Sequence, residues 1–256
     1  MSAVALDTDR ISSSQTVKAQ LALRDLILSG ELKPGDRISE LSVVERLGMS
    51  RTPIRMALVR LEEEGLLETI PSGGFAVKTF SESDIHDAIE VRGTLEGLAA
   101  RFAAERGIST NKLAELKGCL DSLDELVARP TLSIDDFSDY VTLNREFHTL
   151  LIAAADSPVL SRQVERAVSL PFASESGFVK VQAALPEAHH ILTIAQDHHR
   201  CVVRAIQDRE GARAEALMRE HARLAHRHLQ LALSNQRTRD LVPGAALIRR
   251  REFERF

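Results

Sequence analysis

The chain has 256 residues, of which 44% are hydrophobic and 4% aromatic, and it carries 33 Lys and Arg against 37 Asp and Glu. This length predicts one or two domains with a sizeable core, and the 27% charged content excludes a disordered or collagen-like chain. The formal net charge of -4, taken alone, argues against a nucleic-acid-binding protein.

We expect a cytoplasmic protein that does not contact a membrane. No apolar run reaches the roughly 18–20 residues that span a bilayer, and the N-terminus lacks the basic-then-apolar layout of a signal peptide. Cys119 and Cys201 are too few for a disulfide framework, so both are expected to be reduced thiols.

Residues 1–14 are polar and unpatterned, and we interpret them as a flexible arm. From Thr16 to Gly30 the apolar residues follow helical spacing, and a Pro-Gly turn comes next. Ser39 is a capping residue for a second helix, whose buried side is predicted to include Leu41 and Val43. A third helix follows the short break at residues 48–50, and two strand-like runs then flank the hairpin signal at residues 71–74.

Residues 15–79 therefore have the layout of a winged helix-turn-helix domain, although a small α+β domain that does not bind DNA has the same arrangement. The first turn of the third helix separates the two hypotheses, since it presents Arg51 and Arg55 with the hydroxyls of Ser50 and Thr52. Arginine can donate two hydrogen bonds to guanine, and hydroxyl groups suit phosphate oxygens. Glycine at position 73 would let the hairpin backbone approach the minor groove.

Residues 37–77 resemble the DNA-binding domain of the GntR family of bacterial transcription factors. The resemblance includes the Gly-x-Ser-Arg-Thr-Pro-x-Arg block at residues 48–55 and the Leu-Glu-x-Glu-Gly-Leu run at residues 61–66. It implies that Arg51 and Arg55 contact bases, that Ser50 and Thr52 position the DNA backbone, and that Gly73 belongs to the wing. One departure is Leu41, which stands where some relatives carry a further DNA-contacting arginine.

Beyond Phe80 the pattern is almost entirely helical, which makes the fold class mainly α: an N-terminal winged helix-turn-helix domain followed by an all-α helical bundle. Residues 80–236 are predicted to form an effector-binding, metal-binding and dimerisation domain. Residues 237–256 are interpreted as a charged tail with no core to join. The predicted helices of this region span residues 82–106, 110–128, 133–155, 157–169, 186–208 and 210–235.

Eight of the nine histidines lie between His148 and His228. Asn144 and His148 are four residues apart and share one face of a helix, while His199 and His221 fall on the last two helices. These four side chains could converge on one divalent cation, and neutral imidazole suits zinc or nickel. The alternative is a set of hydrogen-bonded core or surface histidines.

Segments 91–96, 144–148, 199–206 and 218–221 are similar to the FCD ligand-binding domain of the FadR-type subfamily of GntR regulators. In metal-binding members an Asp and three His hold the ion, so the resemblance implies a site formed by Asn144, His148, His199 and His221. Asn144 replaces the more usual Asp, which removes an anionic ligand and is expected to weaken metal binding. The spacing to His221 favours His199 over its neighbour His198 as the ligand.

The resemblance also implies a small carboxylate effector near the ion, with Arg92 as its clamp. An intrahelical ion pair between Arg92 and Glu96 is an equally open interpretation. Phe172, in a stretch that interrupts the helical pattern, is predicted to form an aromatic wall of the pocket.

The sequence thus predicts a homodimeric, ligand-responsive transcriptional regulator, which represses a catabolic operon from a palindromic operator and is released by a small organic acid. A metal-dependent enzyme and a helical protein-interaction module are the alternatives. Against the enzyme, no Glu or Asp can be placed beside the histidines from sequence. Residues 10–78 carry 10 Lys and Arg against 9 Asp and Glu, so we expect weak non-specific DNA affinity and specificity that depends on Arg51 and Arg55.

Overall fold

A computed structural model describes residues 3–169, 172–174, 188–233, 242 and 244–249. The chain divides into two compact units, formed by Met1–Asp84 together with Pro243–Phe256 and by Ile85–Val242.

The first unit contains three helices and a small sheet. The helices are α1 (Ala3–Leu28), α2 (Glu40–Leu47) and α3 (Arg51–Glu63), and the strands are β1 (Arg37–Ile38), β2 (Leu67–Thr69) and β3 (Phe75–Val77). Both strand pairs are antiparallel in the order β1-β3-β2, with Arg37 opposite Ala76 and Thr69 opposite Phe75. This is the winged helix-turn-helix arrangement that the sequence predicts. The sequence does not predict β1, because a strand of two residues is too short to show the alternation of apolar and polar residues that indicates a strand.

The core of the first unit lies between α1 and α3. Leu23 and Ile27 from α1 and Ile54 and Leu61 from α3 are fully buried. Ser39 caps α2 by accepting a hydrogen bond from the Ser42 amide, as predicted. The prediction that Leu41 is buried is wrong, since its side chain is 55% exposed on the first turn of α2.

Both ends of the first unit differ from the sequence prediction. Helix α1 begins at Ala3 rather than near Thr16, so residues 3–14 are helical and not an unpatterned arm. The physical reason is that a helix, once formed, gains one hydrogen bond for each residue added to it. No glycine or proline before Gly30 interrupts this extension.

The predicted charged tail has a segment that packs. Leu247, in the short 3-10 helix Ala245–Leu247, is fully buried, and Ile248 is 3% exposed. The Gly244 amide donates to the Leu28 carbonyl at 3.0 Å, and the Phe80 amide donates to the Leu247 carbonyl at 2.8 Å. The prediction that this tail joins no core is therefore wrong for residues 244–248, whose apolar side chains leave water on folding. Residues 237–241 and 250–256 lie outside the described part of the chain.

The described residues of the second unit form helices joined by turns and contain no strand. Its helices match the predicted spans within about two residues: α4 (Glu82–Arg106), α5 (Thr110–Val127), α6 (Ile134–Ala154), α7 (Pro158–Ser169), α8 (Ala188–Gln207) and α9 (Gly211–Leu233). The main core joins α4, α5, α6, α8 and α9 through residues such as Leu116, Phe147, Val202 and Met218. None of the described helices combines the length and the apolar character that a membrane crossing requires.

Two glycines bring α4 close to α9 in this unit. A Cβ atom at Gly93 would lie 2.6 Å from Ala222 Cβ, and one at Gly97 would lie 2.8 Å from Arg219 Cγ. Because neither position has room for a side chain, the face of α4 that carries Arg92 and Glu96 is held against the helix that carries His221.

Candidate metal centre and nucleic-acid interface

Three predicted ligands converge in the second unit. His148 from α6, His199 from α8 and His221 from α9 are buried, and one ring nitrogen of each lies within 4.8 Å of the others. The ring centroids of His199 and His221 are 4.3 Å apart, and those of His148 and His221 are 5.3 Å apart. His198 is only partly buried, and it is His199 that joins this three-histidine cluster.

The tautomer of His148 is fixed by Glu96. His148 Nδ1 lies 3.0 Å from Glu96 Oε1, and an ionised carboxylate can only accept, so Nδ1 carries the proton. In the neutral ring the lone pair is then on Nε2, which is buried without a hydrogen-bond partner. A histidine that donates from one nitrogen to a carboxylate and keeps the other free is oriented as metal-binding histidines are.

Gln196 fixes the tautomer of His199 in the same way. The Gln196 amide donates to the Leu120 carbonyl at 3.1 Å, so its oxygen is the atom that faces His199 Nδ1 at 3.0 Å. His199 Nδ1 therefore donates, and the lone pair of the neutral ring is on Nε2. That nitrogen lies 3.1 Å from His221 Nε2.

His221 has no arrangement of its proton that satisfies both ring nitrogens. Its Nδ1 is buried without a hydrogen-bond partner, while Nε2 faces the lone pair of His199. Burial, together with the neighbouring charges of His199 and His148, lowers the pKa of His221 well below 6.5, so the ring is neutral at pH 7. Burial likewise lowers the pKa of His199 well below 6.5. Buried imidazole nitrogens without a hydrogen-bond partner, such as His148 Nε2 and His221 Nδ1, belong to a donor set that fits a divalent metal ion.

Asn144 lies one helical turn before His148 on α6, and its side chain is 2% exposed. The structure therefore places the amide inside the unit rather than in solvent. An amide oxygen is a neutral ligand, so this position supplies coordination without charge.

Arg92 and Glu96 form a buried pair behind His148. Arg92 Nη1 lies 3.7 Å from Glu96 Oε2, which is the intrahelical ion pair that the sequence left open. Burial by itself raises the pKa of Glu96, but the charges of His148 and Arg92 outweigh it and lower that pKa overall. Arg92 Nε and Glu96 Oε2 still lack hydrogen-bond partners, so the pair retains capacity to bind a polar group.

Glu96 is the functional residue that sequence reasoning missed. The sequence alone could not place an acidic side chain beside the histidines, and the structure places Glu96 there in direct contact with His148. The sequence shows that Glu96 lies four residues after Arg92, but its contact with His148 on α6 depends on how the helices pack against each other.

A cavity of about 520 Å³ opens beside Glu96 and His148. Its other walls come from α6 and α7 and include Arg145, Thr149, Ser161 and Val164. The described residues that line it include Ser174 but not Phe172, which is partly buried with a left-handed φ of 65°. A small acid of a few carbon atoms fits a space of this size.

The predicted DNA-contacting residues lie on one exposed end of α3. Ser50, Arg51, Thr52 and Arg55 are all exposed, while Ile54 in the same turns is fully buried. By contrast, Arg24 and Arg46 of the same unit are held in ion pairs with Glu64 and Glu31.

The wing tip is held by an arginine that sequence reasoning did not select. Arg37 Nη2 on β1 donates to the Gly73 carbonyl at 2.9 Å, and Gly73 itself has a left-handed φ of 84° that favours glycine. Arg37, Arg55 and Gly73 line one groove of about 560 Å³. The structure thus brings α3 and the wing to a common concave surface.

Comparison with known proteins identifies both units. Residues 15–77 match the gntR family of bacterial regulatory proteins, and residues 87–224 match the FCD domain. The chain belongs to the GntR family of regulators with an FCD domain. It is therefore a ligand-responsive, DNA-binding transcriptional regulator and not an enzyme.

Individual relatives agree with this family. An uncharacterised helix-turn-helix regulator from the ttuE-ttuC' intergenic region of Agrobacterium vitis is 34% identical over 149 residues, which cover 57% of this chain and 85% of the relative. The probable D-xylose utilization operon repressor of Paenarthrobacter nicotinovorans is 27% identical, covering 84% of this chain and 89% of its own. The structure of Escherichia coli McbR superimposes with a TM-score of 0.55 at 21% identity, covering 82% of this chain and 93% of McbR, which shows the shared fold.

Proposed function

We propose that this regulator is a homodimeric repressor, and that a small carboxylate releases it from a palindromic operator by binding beside a divalent metal in the FCD unit. Two relatives that carry the name of repressor, GlaR of Escherichia coli and the D-xylose operon protein, support the direction of control. The observation that carries the effector part is the buried three-histidine cluster beside an open cavity.

In this proposal His148, His199 and His221 hold zinc or nickel through the nitrogens that lack a proton, with the Asn144 oxygen as a fourth ligand. The support is the pair of orphaned buried nitrogens, His148 Nε2 and His221 Nδ1, in a cluster whose other contacts fix the tautomers. The ion, when bound, supplies positive charge with open coordination positions for oxygen ligands.

The effector's carboxylate is proposed to bind the ion, and Arg92 to clamp its other polar end. Arg92 supports this role because its Nε is buried without a partner, so a ligand oxygen would complete its hydrogen bonds. Arg145 supplies a guanidinium to the cavity wall itself, whereas Arg92 lies behind Glu96 and His148 and is not among the described lining residues. Phe172 is not in the described lining of the cavity, so it would form an aromatic wall only for a ligand that extends past that lining.

Arg51 and Arg55 are proposed to read base edges in the major groove, while Ser50 and Thr52 contact phosphates and Gly73 approaches the minor groove. Each arginine that pairs with guanine is worth about 1–3 kcal/mol of discrimination. A homodimer would place two such helices about one DNA turn apart, which explains a palindromic operator.

Metal analysis of the purified full-length protein tests the metal centre. We expect about one equivalent of zinc or nickel to stay bound to the wild type through purification and to be lost in His148→Ala and His199→Ala. His190→Ala, which changes an exposed histidine of α8, should retain it. Asn144→Asp restores an anionic ligand and should bind the ion more tightly. Equal metal content in wild type and His148→Ala would overturn the proposed centre.

Mobility-shift titration on operator fragments tests the DNA interface. Arg51→Ala and Arg55→Ala should each weaken specific binding, while Arg162→Ala, on an exposed position of α7, should leave it unchanged. Addition of small carboxylates to the wild-type complex should release DNA only when the metal is present. Unchanged affinity in both α3 variants would contradict the assignment of that helix.

A further inference from the structure

A second histidine cluster lies in the FCD unit outside the three-histidine cluster. His86 and Glu90 are one turn apart on α4, and His226 lies on α9. One ring nitrogen of each histidine and a carboxylate oxygen of Glu90 lie within 4.8 Å of one another. The two imidazole rings are stacked, with centroids 3.8 Å apart and an angle of 14° between their planes.

The hydrogen bonds of His226 direct a lone pair at Glu90. His226 Nε2 lies 3.2 Å from the His86 backbone carbonyl, which only accepts, so Nε2 carries the proton. In the neutral ring the lone pair is on Nδ1, which faces Glu90 Oε1 at 4.0 Å. Two electron-rich atoms then face each other with no hydrogen between them, and a gap of this width accommodates a cation with bonds of about 2.0–2.2 Å to each.

Charged side chains already contact this cluster. Arg223 on α9 donates to Glu90 through Nε at 2.9 Å and through Nη2 at 3.5 Å, and His86 Nδ1 lies 3.8 Å from Asp87. Arg223 is the cation that now balances Glu90, so a metal ion at Glu90 would compete with it.

We propose that His86, Glu90 and His226 form a second site, which binds a divalent transition metal such as Zn²⁺ independently of the buried centre. Two imidazole nitrogens and one carboxylate are a common ligand set for zinc. The His86 side chain is 55% exposed, so its ring has room to turn out of the stack and direct a lone pair at the ion. Water completes the coordination, and the ion enters directly from solvent. The bound ion links the first turns of α4 to α9 and stabilises their contact.

Zinc titration of chelator-treated full-length protein, in competition with a chromophoric zinc indicator, tests the proposal. The wild type should bind two equivalents, and His86→Ala should lose one of them or weaken it by about tenfold or more. His86→Ala removes an exposed ring and leaves the fold intact, which circular dichroism checks. His190→Ala is the matched control and should keep both equivalents.

Arg223→Gln should change zinc binding in the opposite direction. It removes the cation that competes for Glu90, so the second equivalent of Zn²⁺ should bind more tightly than in the wild type. Added Zn²⁺ should also raise the melting temperature of His148→Ala, which keeps only this site, but not that of His148→Ala combined with His86→Ala.

The two metal proposals fail separately. If His148→Ala loses an equivalent but His86→Ala binds zinc as the wild type does, the second site is overturned and the buried centre stands. If His86→Ala loses an equivalent and His148→Ala does not, the buried centre fails and the second site stands. An unchanged second affinity in Arg223→Gln also counts against the second site.

Discussion

The close approach of α4 and α9 predicts the effect of a methyl group at Gly93. A Cβ atom there would lie 2.6 Å from Ala222 Cβ. Carbon atoms pack at about 3.5–4.0 Å, so the two helices must separate by about 1 Å. Over-packing of this kind costs about 1–3 kcal/mol, and alanine recovers about 0.5–1 kcal/mol of that through its helix preference. We expect Gly93→Ala to lower the free energy of unfolding by about 1–2 kcal/mol.

Urea unfolding followed by circular dichroism measures this change, and Gly118→Ala is its matched control. Gly118 is also a helical glycine, but no described neighbour lies within 4 Å of its added Cβ. Gly118→Ala should therefore raise stability by about 0.5–1 kcal/mol through helix preference alone. The two identical substitutions should move the midpoint in opposite directions.

A double-mutant cycle with Ala222→Gly isolates the contact. In the Gly93→Ala background, Ala222→Gly removes the clashing methyl group and should recover part of the lost stability, with a coupling of about 0.5 kcal/mol or more. A Gly93→Ala protein as stable as wild type, or a cycle without coupling, would refute the close approach. The Gly93→Ala variant should also bind zinc more weakly, because Glu96 on α4 and His221 on α9 would no longer be held together.

Three further outcomes follow from burial. Leu247 is fully buried, so Leu247→Ala should lower the free energy of unfolding by about 2–5 kcal/mol in urea titration. Ala246 is exposed, so Ala246→Ser should have little effect. Equal stabilities of the two variants would contradict the packing of residues 244–248. Burial lowers the pKa of His199 and His221 well below 6.5, so the folded state keeps both rings neutral while the unfolded state takes up protons. Chelator-treated protein should therefore lose stability as the pH falls below about 6.5, by up to about 1.4 kcal/mol per pH unit for each histidine. His221→Gln should reduce this dependence of the free energy of unfolding on pH. Burial raises the pKa of Cys119 to about 11, so at pH 8 iodoacetamide should label it far more slowly than a free thiol, as mass spectrometry of peptides would show.

Local signals explain what the sequence predicted correctly. Ser39 caps its helix through a side-chain hydrogen bond from the amide three residues later, and this spacing is readable in any sequence. The histidines of the buried cluster were also selected from helical spacing and resemblance. In each of these cases the information lies within one helix or one motif.

The errors concern contacts between distant segments. Leu41 has the spacing of a buried residue, yet none of the described helices covers it and it is 55% exposed. Leu247 lies next to a run of arginines, and its burial depends on α1 and Phe80, which are far away in sequence. Glu96 meets His148 across the contact of α4 with α6, while Gly93 and Gly97 pack α4 against α9, and glycine positions alone do not reveal which helix approaches them.

The charge of the buried site connects its two proposed ligands. Arg92 and Glu96 balance each other, and the neutral rings of His199 and His221 add no charge, so these four side chains give an acid no net charge to bind. A bound divalent ion would give the site a charge of about +2 in a medium that screens poorly. The ion should therefore strengthen carboxylate binding, and by thermodynamic reciprocity the carboxylate should strengthen metal binding by the same factor. Asn144 makes this linkage larger than an aspartate would, since a neutral amide leaves the full charge of the ion available to the effector.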